Sequence, residues 1–345
     1  MTGFRLALAA ALALTAAAPA AADPRMLDVL PSLTWKHAQT GLAMGPYLGS
    51  LPRNEVGDYG TEEADLFLQY RGADGTAASI FLFHPGIDSV PLWFDRVQAQ
   101  ITARKGFGVQ GEAVPKAFAV RTGAPEASLR VTYPMRGGEV TATAAAVVPV
   151  ADWLVVVRIS SPKMEAAALD AELSAVLNDI GWPADKLGAP VAMPIKPCGE
   201  LPSFRKGKLL KPDMAQALMG SLIGAAAEDE KKTVPTYCRA QQEPGGAWGV
   251  YQFEGADKGY VLALADAGRA IGVQPSLAAA VNKSKPAYSL TFMDLTQRQT
   301  YPDVSDQLPP EQALDIVNRT SPIATATTLS GNKSITISSG LAGKK

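Results

Sequence analysis

The chain has 345 residues, 47% hydrophobic and 19% charged, with 32 Lys and Arg against 33 Asp and Glu for a formal net charge of −1. That composition is ordinary for a chain with a real core and excludes a disordered protein. The slight acidic excess argues against a nucleic-acid role, which normally shows a basic surplus, and the length suggests two domains at about 150 residues each.

Residues 1–22 read as a cleavable secretory signal peptide. Arg5 supplies the positive start, and Leu6 to Ala18 is an uncharged Ala/Leu run, shorter than the roughly 20 residues of a spanning helix. Pro19 breaks the run, and Ala20-Ala21-Ala22 offers the small residues a signal peptidase accepts. No cysteine lies near that cut, which argues against a lipid anchor, and there is no twin-arginine pair. No later run of about 18 uncharged apolar residues follows, so no transmembrane span is expected after cleavage. The expected address is periplasmic or secreted, by a bacterial-type Sec signal. Two cysteines, Cys198 and Cys238, fit that address as a structural disulfide.

Residues 23–60 read as a loop-rich segment, with Pro24, Pro31, Pro46 and Pro52. A first domain is expected over 61–183. It opens on a hairpin, Ala64–Tyr70 and Thr76–Phe83, joined by the turn residues Arg71-Gly72-Ala73-Asp74-Gly75. Ser89 and Pro91 start a helix whose apolar face is Trp93, Val97 and Ile101. Strands follow at about 116–122, 127–134, 139–148 and 152–160. Ser161 and Pro162 then begin an amphipathic helix carrying Leu169, Leu173, Val176, Leu177 and Ile180, stopped by Gly181.

Pro190, Pro194 and Pro197 mark 184–197 as an extended linker. A second domain is expected over 198–340. It has a helix from Asp213 to about Ala227, strands at about 247–254, 259–266, 268–274 and 287–295, a short helix after Pro309-Pro310, and strands at 322–329 and 333–338. Residues 341–345 read as a flexible tail. The expected fold class is α+β: two domains, each a mostly antiparallel sheet packed with amphipathic helices.

The order hairpin, helix, four-stranded meander, helix over residues 60–182 resembles the PsbP-like α/β/α sandwich. Trp153-Leu154-Val155-Val156-Val157-Arg158-Ile159, then Ser160-Ser161-Pro162, looks like that fold's closing strand and helix. The resemblance implies a non-catalytic binding or assembly role.

The chain holds only two histidines, His37 and His84, which removes most metal sites; no metal and no cofactor are expected. There is no H-E-x-x-H, G-x-S-x-G, P-loop or dinucleotide fingerprint. The candidate catalytic pair is His84 with Asp88, in Phe83-His84-Pro85-Gly86-Ile87-Asp88 at the end of an apolar strand. The simpler reading, and the favoured one, has His84 bonding the loop backbone. Ala217, Gly220, Gly224 and Ala227 put small residues on one helix face, a core contact or a self-association surface. Arg205, Lys206, Lys208 and Lys211 form a basic run, a solvated loop or a site for anionic envelope lipid. The favoured function is a non-catalytic envelope module binding an unidentified protein or small ligand. A hydrolase using His84 and Asp88, and a structural self-associating protein, are the alternatives.

Overall fold

The computed structural model describes residues 23–104, 108–212, 214, 216–219, 236–329 and 334–339. The expected signal peptide, the helix-capping Asp213, Gly220, Gly224, Ala227 and the tail 341–345 lie outside the described residues.

The first half contains β1 (Arg25–Met26), β2 (Trp35–Lys36), β3 (Ala43–Met44), β4 (Tyr47–Leu48), β5 (Leu51–Asp58), β6 (Asp65–Arg71) and β7 (Ala77–Phe83). Helix α1 (Val90–Ala103) and strands β8 (Lys116–Phe118), β9 (Ser128–Pro134), β10 (Ala142–Val150) and β11 (Trp153–Ser161) come next, and α2 (Ala166–Asp179) closes it. The sheet runs β1-β5-β6-β7-β11-β10-β9-β8, with β4 paired to β5 and every pair antiparallel. In its middle all nine residues of β10 are buried, because helices cover both faces. Arg130 and Thr132 of β9 reach Asp170 of α2 on one face, while Tyr133 meets Gln98 of α1 on the other.

The segment 23–60, read from its prolines as loop, adds five strands to this half. Arg53 at 9% exposure holds it together, donating to the carbonyls of Leu30, Leu33, Met44 and Gly45. Such a buried cation is tolerable because its donors are met by fixed acceptors.

The second half is an eight-stranded up-and-down antiparallel sheet in sequence order. It comprises β12 (Tyr237–Gln242), β13 (Trp248–Phe253), β14 (Tyr260–Leu264), β15 (Arg269–Pro275), β16 (Tyr288–Met293), β17 (Gln297–Val304), β18 (Ala324–Thr327) and β19 (Ile335–Ile337). Helix α3 (Leu277–Val281) links β15 to β16, and α4 (Pro310–Arg319) links β17 to β18. One face of the sheet forms its own core from Val250, Leu262, Ile271, Val273 and Leu290, with Ala313 and Ile316 of α4. The other face, with Tyr251, Val261, Ala270 and Met293, is continuous with the core of the first half. The disulfide Cys198–Cys238 fastens the preceding segment to β12.

This architecture overturns the α+β expectation. Seventeen strands in two large antiparallel sheets, plus a two-stranded ribbon of β2 and β3, stand against four α-helices among the described residues. The second sheet is covered largely by the first half and by ten-residue α4, so helices are not its main packing partners. In the second sheet two strands escaped the sequence reading because their patterns are polar: β12 is Tyr-Cys-Arg-Ala-Gln-Gln, and β17 begins Gln-Arg-Gln-Thr and contains Pro302.

Helix α2 begins at Ala166, later than expected. Ser161 is still the last residue of β11, paired with Ala142, and its hydroxyl accepts the Lys163 and Met164 amides as a turn. Helix α1 begins as expected, with the Ser89 hydroxyl accepting the Leu92 amide. Beyond the apolar stripe, Leu92, Phe94, Asp95 and Arg96 of α1 are also buried, because the helix lies between the two sheets. No helix among the described residues is long and apolar enough to cross a membrane.

Candidate functional site: a histidine–tryptophan cluster at the junction

Strand pairing assembles the site. Phe83 pairs with Leu154 on one side and Asp65 on the other, so His84, the next residue, falls between Asp152-Trp153 and Glu63-Ala64. The His84 amide donates to the Ala64 carbonyl at 3.3 Å. Its ring is 8% exposed as a residue and meets Trp153 edge-on at 5.5 Å.

Both ring nitrogens of His84 are committed. Nδ1 lies 2.8 Å from the Leu295 carbonyl of the second half, and Nε2 lies 3.2 Å from the Asp152 carboxylate. A carbonyl only accepts, so Nδ1 carries a proton and donates to Leu295, while Nε2 faces the Asp152 carboxylate. The hydrogen bond from His84 is the largest cause lowering the Asp152 pKa. Asp88, the partner expected from sequence, is exposed as a residue, although protein atoms crowd its carboxyl. That desolvation is the largest cause raising its pKa, with the Asp152 charge adding and His84 opposing. Its exposure to solvent keeps the energy involved small.

The second histidine packs on the same tryptophan. His37 is fully buried, stacked on Trp35 at 5.9 Å and edge-on to Trp153 at 4.7 Å. Its Nδ1 accepts the Thr40 amide at 3.3 Å and the Thr40 hydroxyl at 2.8 Å, which leaves the ring proton on Nε2. Among the described residues no acceptor lies within bonding geometry of that Nε2; the Glu63 backbone acts on it only weakly, and the Glu63 carboxylate is 4.0 Å away. Burial is the largest cause lowering the His37 pKa to about 4, so at neutral pH this ring is uncharged. Glu62 and Glu63 are consecutive left-handed residues, with φ of 58° and 59°. They form a tight turn that Asn-Gly would adopt at lower cost.

Around this cluster the two halves are stitched by polar contacts. The Gly86 amide donates to the Gly268 carbonyl at 2.7 Å. Gly268 has φ of +75°, and a Cβ there would lie 2.7 Å from the Phe83 ring. Arg269 bonds Asp65 at 3.2 Å and Asp294 at 2.8 Å, and Arg158 pairs with Asp266. On α1, Asp95 accepts from Arg239 at 2.6 Å and from the Tyr251 hydroxyl at 2.7 Å. Arg96 donates to the carbonyls of Ala265 and Gly246. Desolvation is the largest cause raising the Asp95 pKa, opposed chiefly by Arg239.

No family model, curated protein or solved structure matches the chain. Among the described residues no group of three His, Cys, Asp or Glu is placed to hold a metal ion. Ala217, from the small-residue face, is buried against Ile323 and Ala324 of its own chain. Sequence reasoning missed Asp152, Trp153 and the role of His37. Their signal is the pairing of β7 with β11, which no local pattern encodes.

Proposed function

We propose that this is an exported, non-catalytic binding or assembly protein of the cell envelope, periplasmic or secreted, whose two sheets act as one body. One observation carries the reading: both ring nitrogens of His84 are spent on the junction, one on Leu295 and one on Asp152. A general base needs a free nitrogen facing substrate, and here neither faces one. The disulfide suits an oxidising compartment, and the resemblance of residues 60–182 to PsbP-like domains implies the same kind of role.

The test is to screen the protein for ligands by thermal shift, capture partners from envelope extract, and repeat both with His84→Ala. A specific partner retained by the variant, which is expected to melt lower, supports the reading. A hydrolytic activity abolished by His84→Ala, in a variant that stays folded, would replace it with the hydrolase alternative.

A further inference from the structure

Pro275 pairs with Tyr288, Tyr288 pairs with Val304, and Leu209 bridges Val304 from the other side. These four residues form one row across an end of the second sheet, spanning roughly 14 Å at a strand spacing of about 4.8 Å.

Helix α3 starts just beyond Pro275 and contains no polar residue: Leu277-Ala278-Ala279-Ala280-Val281. Ala278 and Ala279 are buried, but Leu277 is 54% and Val281 67% exposed, four residues apart on one face. The helix is fixed in place, since Ser276 accepts the Ala279 amide at 3.1 Å and donates to buried Asp303. Lys283 follows in the left-handed region at φ +49°, where a helix ordinarily ends on glycine. Lys285 comes next in the same exposed turn.

On the other flank the backbone of the basic run is pinned along β17 and its continuation. The Leu210 amide donates to Asp303 at 2.7 Å, the Ser305 amide to Lys208 at 3.1 Å and the Arg205 amide to Gln307 at 2.9 Å. Lys206, Lys208, Leu209 and Lys211 stand exposed there. The nearby acids are outnumbered: Asp303, bonded by Gln216 and Ser276, and Asp306, bonded by Ser305, stand against Arg205, Lys206, Lys208, Lys211, Lys283 and Lys285. The turn between β13 and β14 at the same end carries exposed Glu254 and Asp257 with Lys258.

We propose that this end of the second sheet docks on an anionic phospholipid surface. The lysines meet headgroup phosphates, while Leu277 and Val281 enter the boundary between headgroups and acyl chains. An exposed aliphatic pair rimmed by lysines is the pattern of an interfacial contact. Lysine is a mobile point charge suited to a fluid layer of phosphates, whereas fixed partners favour the fork of arginine. The inference deepens the binding role proposed above and rests on it.

The experiment is sedimentation of the exported protein with vesicles of phosphatidylethanolamine and phosphatidylglycerol at a ratio of about 3:1, against vesicles of phosphatidylcholine alone. Binding is expected only to the anionic vesicles and is released in 1 M salt, where the screening length falls to about 3 Å. Each lysine removed near the surface lowers the partition about fivefold, so Lys208→Gln with Lys211→Gln lowers it about 25-fold. Leu277→Ser with Val281→Ser weakens binding as well, while Lys163→Gln, exposed in the first half, leaves it unchanged.

Equal binding to both vesicles, no binding, or insensitivity to these substitutions overturns the proposal. So does displacement by free glycerol phosphate, which would indicate a headgroup pocket, or retention by an acidic protein in place of vesicles. If vesicles fail while another specific ligand still shifts the melt, only the lipid inference falls. A His84-dependent activity would overturn the binding role itself.

Discussion

Acidifying the protein from pH 7 to pH 4 should expose the cost of charging His37. Burial is the main cause holding its pKa at about 4, against the ordinary 6.5 of a free imidazole. The Glu63 backbone and Asp58 act in the opposite direction but lose to burial. A folded pKa below the unfolded one means the unfolded chain takes up the proton first. The contribution is therefore complete above about pH 6.5 and is lost as pH falls through the window toward 4. At 1.36 kcal/mol per unit this amounts to about 3 kcal/mol, a large share of a typical folding stability. The assay is urea denaturation at several pH values for the wild type and His37→Gln. The variant starts less stable, because it loses packing on Trp35 and Trp153. Its deficit should shrink by about 3 kcal/mol between pH 7 and pH 4, since the two proteins share every other titrating group. A deficit that stays constant across the range would refute the buried neutral histidine.

Four further variants probe the junction, the disulfide of the second half and the close packing at Gly268. His84→Ala removes a buried bond to Leu295, a partly exposed pair with Asp152 and an edge contact with Trp153. It should lower stability by about 3 kcal/mol at neutral pH in denaturant melts, and an unchanged midpoint would contradict the junction role. Replacing both cysteines by serine frees a cross-link spanning 40 residues. The expected cost is about 4 kcal/mol, with the wild type reaching the same stability under reductant; reductant-insensitive melting of the wild type would count against it. Gly268→Ala meets both a left-handed φ and the Phe83 ring, so about 3 kcal/mol is expected. Gly137→Ala, with a similar φ but open space, should cost only about 1 kcal/mol, and equal losses would show that close packing at Gly268 is unimportant.

Some of this was readable from the chain alone. Alternating and continuous apolar runs marked β6, β7, β10 and β11, and Ser89 with Pro91 marked the start of α1, because those signals are local. The cysteine pair was readable from its count and the expected compartment, and Cys198–Cys238 is bonded. Strand β5 hid behind Pro52 and Gly57, and β17 behind polar residues, since pairing with neighbours formed them where propensity was weak.

The candidate site divides along the same line. Composition showed that histidine is scarce, and the strand-end position of His84 drew attention to it. Its partners, Asp152 in the β10–β11 turn and the Leu295 carbonyl from the other sheet, are 68 and 211 residues away in the chain. Likewise, the basic run at Arg205–Lys211 and the apolar helix at Leu277–Val281 share one sheet end only because Leu209 bridges Val304, and Tyr288 joins Val304 to Pro275, just before the helix. Local sequence sets the short-range facts: where apolar periodicity, caps and turns place elements, and which side chains exist to be used. Tertiary structure alone decided which of them meet, because register and sheet order arise from burial summed over the whole chain, and no local window contains that sum.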